Sequence, residues 1–294
     1  MPWSKLSNLF FIERLKKSKK MKNKILILGK RGFVASNLLN FLKKKKVYSA
    51  SINSKNFFLK KKNYLLKFNY IINCSTSEKF ILKKYSKKND LNLKIVKKII
   101  SLPSVNFVML SSRKVYKSKF NITEKGILLP SCQYSKNILR SEIELKKILY
   151  KKRLLILRIS NLIGYNKPSS KKILKTFVYN FYENIKKGFI METNHIFKDF
   201  LGIDKFSEIL LKLTQKKCYG TFNVSLGKKI FIKKIVSWLN FYNKDSYRVA
   251  KSKENYNNDC FTLCNKKLMK TISVKNRQID LKNECLILSR KFFC

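Results

Sequence analysis

The chain has 294 residues, of which 45% are hydrophobic, and its 67 lysines and arginines against 16 acidic residues give a formal net charge of +51. This length and apolar content suffice to bury the core of one large α/β unit, or of a large domain with a smaller satellite. No apolar run reaches the roughly 18–20 residues of a membrane-spanning helix and no signal-peptide pattern is present, so we expect a cytoplasmic protein without a transmembrane segment.

Residues 1–22 form a basic N-terminal extension, in which apolar residues alternate with lysines and arginines. An amphipathic helix on an anionic membrane would fit this pattern, and so would a disordered leader. A third interpretation is an extension upstream of a true start at Met21. The sequence favours an extension, because a strand pattern begins immediately afterwards.

That strand is Ile25–Leu28, a short apolar run bounded by glycine, as in strands buried on both faces of a parallel sheet. Further strands are predicted at Val47–Ile52, Tyr70–Cys74, Phe107–Ser111, Leu154–Ile159 and Phe222–Ser225. Apolar residues with the periodicity of a helix begin at Phe33, and further helices are predicted around 89–101, 133–150, 172–187 and 205–216.

Strands that alternate with helices predict an α/β fold with a Rossmann-type, doubly wound parallel sheet. We expect a dinucleotide-binding domain over 23–165. The remainder, 166–294, is expected to form a smaller mixed α/β C-terminal substrate-binding lobe, with strands that return to the main sheet.

A glycine-containing turn joins the first strand to the first helix, with Gly29, Gly32 and Ala35 at the spacing of a dinucleotide-binding fingerprint. The first glycine permits the tight turn, the second lets the backbone approach a pyrophosphate, and the small third residue allows close helix–strand packing. The predicted cofactor-binding residues in this turn are Gly29, Arg31, Gly32, Phe33, Val34 and Ala35.

The end of the second predicted strand indicates which dinucleotide is bound. An acidic residue there usually binds the ribose hydroxyls of NAD, but Ser51–Lys55 contains no carboxylate. Arg31 could contact the 2′-phosphate of NADP instead. The sequence therefore predicts NAD or NADP and favours NADP, although Arg31 and Lys55 are also simply two of 67 basic residues.

The high positive charge allows two interpretations. It could mark a polyanion partner such as nucleic acid. Alternatively, it reflects compositional drift, because lysine is spread over every segment and the other abundant residues also have AT-rich codons. We favour drift, and expect non-specific polyanion binding at low salt.

Cysteine and histidine usage argues against metal binding and disulfides. The seven cysteines are an odd number in a chain expected to be intracellular. Cys260 and Cys264 are four residues apart, but no second pair accompanies them, and His195 is the only histidine. We predict no metal site.

With the glycine turn, several downstream segments together resemble the extended short-chain dehydrogenase/reductase family of nucleotide-sugar epimerases, dehydratases and reductases. The order and spacing hold from about residue 24 to 235. The matching segments are Asn69–Ser75, Met109–Tyr116, Pro130–Glu142, Leu157–Gly164, Lys198–Phe200 and Gly220–Val224.

The resemblance implies roles for individual residues. Ser112 would be the serine that binds the reacting substrate oxygen, and Asn161 and Lys198 would also contact the substrate. Cys74 and Lys136 would contact the cofactor. In this family, Lys136 would also lower the pKa of a catalytic tyrosine one helical turn before it.

The chain departs from the family at that tyrosine, because Cys132 stands at its position and Tyr134 lies two residues before Lys136. Three interpretations remain open. Cys132 could act as a surrogate acid, an irregular helix start could deliver Tyr134, or the protein could have lost redox chemistry. Ser112, Cys132 and Lys136 are therefore the catalytic candidates.

The resemblance implies an NAD(P)-dependent epimerase, dehydratase or reductase for a nucleotide-activated sugar, in the synthesis of lipopolysaccharide or another surface polysaccharide. The alternative is a catalytically degenerate family member that binds a dinucleotide or a polyanion such as RNA. A homodimer is an option that the sequence leaves open.

Overall fold

The computed structural model describes residues 23–149, 153–164, 176–192, 196–251 and 260–294. The predicted N-terminal extension, residues 1–22, and His195 lie outside these ranges, as does the beginning of the helix predicted over 172–187.

A six-stranded parallel sheet forms the centre of the molecule, in the strand order β10-β5-β4-β3-β1-β2. The predicted doubly wound parallel sheet is confirmed. Its strands are β1 (Ile25–Leu28), β2 (Ser49–Ile52), β3 (Tyr70–Asn73), β4 (Asn106–Ser112), β5 (Leu154–Ile159) and β10 (Gly220–Val224).

Helices cover both faces of this sheet, because successive residues of a strand point to opposite sides. Leu26 and Leu28 of β1 belong to the core beneath the helices Leu91–Ile99 and Gln133–Ile148, whereas Ile25 and Ile27 belong to the core on the opposite face of the sheet. The helices in the first part of the chain are α1 (Phe33–Lys44), α2 (Ser54–Leu59), α3 (Lys62–Leu65), α4 (Glu78–Leu82), α5 (Leu91–Ile99) and α6 (Gln133–Ile148).

The second part of the chain adds a third hydrophobic core and short two-stranded sheets. It also contributes β10 to the main sheet and α8 to the face covered by α1. Its strands are β6 (Asn161–Ile163), β7 (Phe189–Glu192), β8 (Phe197–Lys198), β9 (Phe200–Gly202), β11 (Ile230–Phe231) and β12 (Arg248–Lys251). Its helices are α7 (Phe177–Lys186), α8 (Ile203–Gln215), α9 (Ile232–Leu239), α10 (Lys266–Thr271) and α11 (Gln278–Phe293).

The described residues contain neither a membrane-spanning helix nor a metal-binding cluster. None of their helices is long and apolar enough to cross a membrane. They also contain no group of three or more His, Cys, Asp or Glu side chains that could hold a metal ion.

A buried ion pair ties α6 to the sheet. Arg158 of β5 donates from Nε to Glu142 Oε1 at 3.0 Å and from Nη2 to Glu142 Oε2 at 2.6 Å. Ser111 of β4 also donates to Glu142, and Arg158 Nη1 donates to the hydroxyl of Tyr116 at 2.8 Å. That hydroxyl donates to Asn223 of β10 at 2.8 Å. The network thus fixes one helix against three neighbouring strands.

We predict that Glu142→Ala lowers the free energy of unfolding by about 3–5 kcal/mol, because it leaves the buried Arg158 guanidinium without its counter-ion. Urea denaturation of both proteins measures the loss. Glu208→Ala, which breaks a partly exposed pair with Lys205, is the control and should cost about 1 kcal/mol or less. Equal losses for the two variants would contradict the structural role of Glu142.

Two buried carboxyl groups organise the second part of the chain. Glu284 Oε1 accepts the backbone N–H groups of Ile203 at 2.8 Å and Asp204 at 3.4 Å, at the start of α8. Asp199 accepts N–H groups from Leu226, Gly227 and Leu263. Burial raises the pKa of Asp199 to about 7 and, with a contribution from the charge of Asp204, that of Glu284 to about 8.

Both carboxyl groups therefore bind a proton more tightly in the folded chain than in the unfolded chain. Their contribution to stability is complete below about pH 4 and is lost as the pH rises through 7 and 8. We predict that the free energy of unfolding falls by about 3–4 kcal/mol between about pH 6 and about pH 9.

Urea denaturation at the two pH values measures this fall, and Asp199→Asn and Glu284→Gln should each make it smaller. These amides keep an acceptor oxygen but cannot ionise. A pH dependence that neither variant changes would show that other groups cause it.

Candidate functional site

A cleft of about 910 Å³ opens at the carboxyl ends of the central strands. It lies beside β1, which has β2 as its neighbour on one side and β3 on the other. This reversal of strand order is the usual ligand site of open α/β sheets. Residues that follow β1, β2 and β3 line one end of the cleft. Residues from the ends of β4 and β5 and from the beginning of α6 line the other.

The turn after β1 brings its backbone very close to the end of β3. Gly29 has φ +102°, and a Cβ there would lie 2.7 Å from Ser75 Oγ. The N–H of Gly32 donates to the carbonyl of Gly29 at 2.7 Å, and α1 begins at the next residue without a side-chain cap. The first N–H groups of a helix without such a cap are suited to bind an anion.

The other predicted residues of the turn divide between the cleft and the core. Arg31, Phe33 and Val34 line the cleft. Ala35 is completely buried and packs in the core shared with β1.

The end of β2 presents an amide at the cleft. Asn53 lines the cleft. It also caps the beginning of α2, because its Oδ1 accepts the N–H of Asn56 at 2.7 Å. Glu78, at the start of α4, is the sole acidic side chain among the described residues of the cleft lining.

Cys74 and Ser112 also line the cleft, from the ends of β3 and β4. Burial raises the pKa of the Cys74 thiol to about 12, which keeps it uncharged at neutral pH. Ser112 Oγ accepts the N–H of Lys114 at 3.2 Å, which leaves its hydroxyl proton for another acceptor.

The first turns of α6 present Tyr134 and Ile138 to the cleft, one helical turn apart. Lys136 is exposed and is not among the lining residues. Cys132 is the N-cap of α6, with its Sγ 3.3 Å from Ser135 Oγ, and does not line the cleft either. Ser112, Tyr134 and Ile138 thus line the same cleft. Cys132 and Lys136 lie outside its lining.

Helical periodicity gives the reason for this arrangement. Buried residues recur along α6 at Ile138, Ser141, Glu142 and Leu145, a stripe that faces the sheet. Extending the stripe back by one turn reaches Tyr134, whereas Lys136 falls on the opposite face. In the sequence, this periodicity is the pattern that indicates Tyr134, and not Lys136, as a residue on the buried face of α6.

The Cys132 thiol has its own electrostatic environment. Burial opposes its ionisation, but hydrogen bonds to Ser135 and the charge of Lys114 together lower its pKa. A thiol at a helix N-terminus also benefits from the helix dipole when it ionises.

Two residues at the end of β5 have polar atoms without a partner among the described residues. They are Ser160 Oγ and Asn161 Nδ2, which are both buried. Ser160 lines the cleft. The predicted substrate residue Lys198 lies in β8, half-buried and outside the described lining.

Comparison with solved structures identifies the fold. UDP-N-acetylglucosamine 4-epimerase from Methanobrevibacter ruminantium M1 matches with TM-score 0.73 and 16% identity, over 92% of this chain and 98% of that one. RMD from Pseudomonas aeruginosa matches with TM-score 0.74 and 15% identity, over 93% and 98%. dTDP-glucose 4,6-dehydratase from Bacillus anthracis str. Ames matches with TM-score 0.72 and 14% identity, over 91% and 96%.

This chain has the extended short-chain dehydrogenase/reductase fold. The resemblance drawn from the sequence motifs is confirmed at the level of the fold. No protein-family model matches the sequence, and no curated protein sequence does so either.

We predict that Gly29→Ala lowers the free energy of unfolding more than Gly188→Ala does. Both glycines have positive φ, +102° and +76°, which alone costs about 1–2 kcal/mol for alanine. An added Cβ meets Ser75 only at Gly29 and meets nothing within 4 Å at Gly188. Urea denaturation compares the two variants, and equal losses would show that the turn relaxes away from Ser75.

Proposed function

We propose that this protein is an enzyme that binds a nicotinamide dinucleotide in the cleft and acts on a nucleotide-activated sugar. The observation that carries the proposal is the close approach of Gly29 to Ser75 beside the uncapped start of α1. This arrangement leaves room for a pyrophosphate against bare backbone.

The cleft fits such a cofactor in its shape and chemistry. The backbone at Gly29, Gly32, Phe33 and Val34 would hold the pyrophosphate, and Cys74 would lie against the remainder of the dinucleotide. A Cβ at Gly32 would lie 3.1 Å from the Gly29 carbonyl oxygen, so glycine keeps this space open. When bound, the cofactor would supply hydride-transfer chemistry that protein side chains lack.

The solved structures with this fold support the same ligand class. RMD is complexed with NADPH, and the Bacillus anthracis dehydratase is in complex with NAD. The Methanobrevibacter epimerase is in complex with UDP-N-acetylmuramic acid.

On the substrate side, we propose that Ser112 and Asn161 contact the sugar and that Lys198 acts toward the phosphates as a point charge. Asn161 itself is not a lining residue, but it lies between the lining residues Ser160 and Leu162, and its buried Nδ2 has no partner among the described residues. We place the reaction in the synthesis of surface polysaccharides in the cytoplasm, since such polymers are assembled from nucleotide-activated sugars.

The test is a titration of the purified protein with NADPH and NADH, followed by nicotinamide fluorescence at low and high salt. Saturable binding that persists at high salt is expected. The competing function, polyanion binding, predicts binding to polyuridylic acid that disappears at high salt, together with no dinucleotide binding. That second pattern would overturn the proposal.

NADP is the preferred cofactor in this proposal. Arg31 lines the cleft near Asn53, at a strand end without the carboxylate that would bind ribose hydroxyls and repel a 2′-phosphate. Arginine can bind a phosphate through two parallel hydrogen bonds.

We therefore predict that Arg31→Ala weakens NADPH binding by about tenfold or more, the expected loss of a charged hydrogen bond, and weakens NADH binding much less. The control is Lys43→Ala, which removes a charge from the last turn of α1, the helix that follows Arg31, and should leave both affinities unchanged. If Arg31→Ala weakened both dinucleotides equally, Arg31 would not discriminate between them.

A further inference from the structure

We propose that the surface around the amino end of the edge strand β2 docks on an anionic lipid bilayer. This surface, the β2 edge patch, consists of the exposed apolar side chains of Tyr48, Phe58, Leu59 and Leu66 and the lysines around them. The patch lies outside the described lining of the cleft, so its role goes beyond the proposed function and does not depend on it.

The charge of the chain around β2 is entirely of one sign. Residues 23–77 contain no aspartate or glutamate, and Glu78 is the first acidic residue after them. The exposed lysines of the patch are Lys24, Lys43–Lys46, Lys55, Lys61, Lys62 and Lys67. Within the described part of the chain, none of these lysines forms an ion pair, so their charge is available to a partner.

Ring contacts join the segments of the patch. The Tyr48 ring, just before β2, lies 6.0 Å from the Phe68 ring, and the Tyr64 ring of α3 lies 5.5 Å from Phe68. Lys60 places its Nζ 4.8 Å from the centre of the Tyr64 ring, and Leu59 precedes Lys60 at the end of α2. The start of β2 and the helices α2 and α3 therefore form one continuous surface over the buried Phe68.

The apolar side chains of the patch face solvent beside a core that is already filled. Leu59 is 81% exposed, Tyr48 55% and Leu66 47%. Phe57 and Leu65, in the same two short helices, are completely buried and belong to the core beneath. The helices thus use one set of apolar residues for packing and leave a second set free to contact a partner.

This combination of side chains matches an anionic bilayer. Leucine inserts at the boundary between headgroups and acyl chains, and tyrosine is favourable at the level of the headgroups. Lysines attract anionic headgroups when they lie within about 8–10 Å of the surface, the Debye length in physiological salt. Apolar insertion and charge attraction therefore act on the same face of the molecule.

Two other occupants fit the patch less well. A nucleic acid would contact the lysines, but its bases stack on aromatic rings, whereas the most exposed apolar side chain of the patch is Leu59. A second copy of this chain would bring two sets of lysines together, and residues 23–77 have no acidic side chain to offset their repulsion. Charge complementarity therefore favours an anionic lipid surface.

The position of the patch sets the orientation of a docked molecule. Lys24 precedes β1 and places its Nζ 5.8 Å from the Tyr48 ring, so both residues lie at the amino ends of the parallel strands. The cleft opens at the carboxyl ends of the same strands. A molecule docked through the patch therefore keeps its cleft open to the aqueous phase, where soluble ligands enter.

The first test measures binding of the full-length protein to vesicles by flotation. One set of vesicles contains phosphatidylcholine with about one third phosphatidylglycerol, the other contains phosphatidylcholine alone, and both are in about 0.15 M salt. We expect binding to the anionic set only. No binding to either set, or equal binding to both, would overturn the proposal.

A triple variant removes charge from the patch by replacing three of its exposed lysines. The changes are Lys61→Gln, Lys62→Gln and Lys67→Gln. We expect the affinity for anionic vesicles to fall by about 30-fold or more, because each lysine near an anionic surface contributes about fivefold.

The matched control removes the same charge at the opposite edge of the sheet. It carries Lys266→Gln, Lys270→Gln and Lys275→Gln, which replace exposed lysines in and just after α10, the helix that packs on β10. Its affinity should fall by less than about threefold, because these charges lie more than a Debye length from the patch. Thermal denaturation checks that both triple variants are folded. Equal losses of affinity would overturn the proposal, since they would show that total charge alone decides binding.

The second test separates insertion into the bilayer from adsorption on it. Leu59→Ser should weaken binding to the anionic vesicles by about tenfold, because the apolar side chain no longer enters the boundary region. The control is Ile287→Ser, which removes a 68% exposed side chain from α11 and should leave binding unchanged. If Leu59→Ser bound as tightly as the wild type, the docking surface would not be the β2 edge patch.

Polyuridylic acid and NADPH distinguish the remaining outcomes. If the patch triple variant lost binding to polyuridylic acid but kept its affinity for anionic vesicles, the patch would be a nucleic-acid site and the proposal would fail. NADPH affinity should be the same in the wild type and in all patch variants, because the patch lies outside the cleft lining. Absence of NADPH binding to the wild type would refute the proposed function and leave the docking surface unaffected.

Discussion

The buried pair between Glu142 and Arg158 is the interaction on which the site depends. Among the described residues, Arg158 is the largest side chain buried to this extent, at 2% exposure, and both of its bonds to Glu142 lie inside the protein. Because Glu142 belongs to α6 and Arg158 to β5, the pair sets the rotation and depth of that helix against the sheet. Tyr134 and Ile138 lie two turns or less before Glu142, so the same contact decides which α6 residues reach the cleft.

Several glycines occupy positions where neighbouring groups leave no room for a side chain. The chain contains only eight glycines. A Cβ at Gly164 would lie 2.3 Å from the Ile203 side chain, and one at Gly202 would overlap the Glu284 carboxylate. Gly164 thus lets the end of β6 pack closely against α8, and Gly202 lets the start of α8 pack closely against α11. A lysine-rich sequence can thus keep this fold, provided that the residues at the few closest contacts remain glycine.

The sequence predicted the sheet well, whereas the placement of the site residues depends on contacts that the sequence does not reveal directly. The central strands β1 and β5 are largely apolar runs, and the predicted ends of the main-sheet strands agree with the structure to within two residues, even at the more polar β2 and β10. The short helices α2 and α4 were not predicted, because pieces of six and five residues carry no clear periodicity. At α6, motif spacing directed attention to Cys132 and Lys136. The side-chain directions follow instead from the buried stripe, which tertiary contacts such as the Glu142–Arg158 pair establish.

The distribution of charge distinguishes the cleft from the rest of the surface. Lysine and arginine occupy 67 of 294 positions, yet in the described lining of the cleft they occur only at Lys30 and Arg31. Those two stand where a phosphate-bearing ligand would enter, and the far end contains Tyr134, Ser112 and apolar side chains. The excess of lysine can therefore raise the local concentration of anionic ligands and retain polyanions at low salt. Inside the cleft, the basic side chains of the described lining are confined to the glycine turn, so the positive charge that attracts anionic ligands is separated from the uncharged far end of the lining.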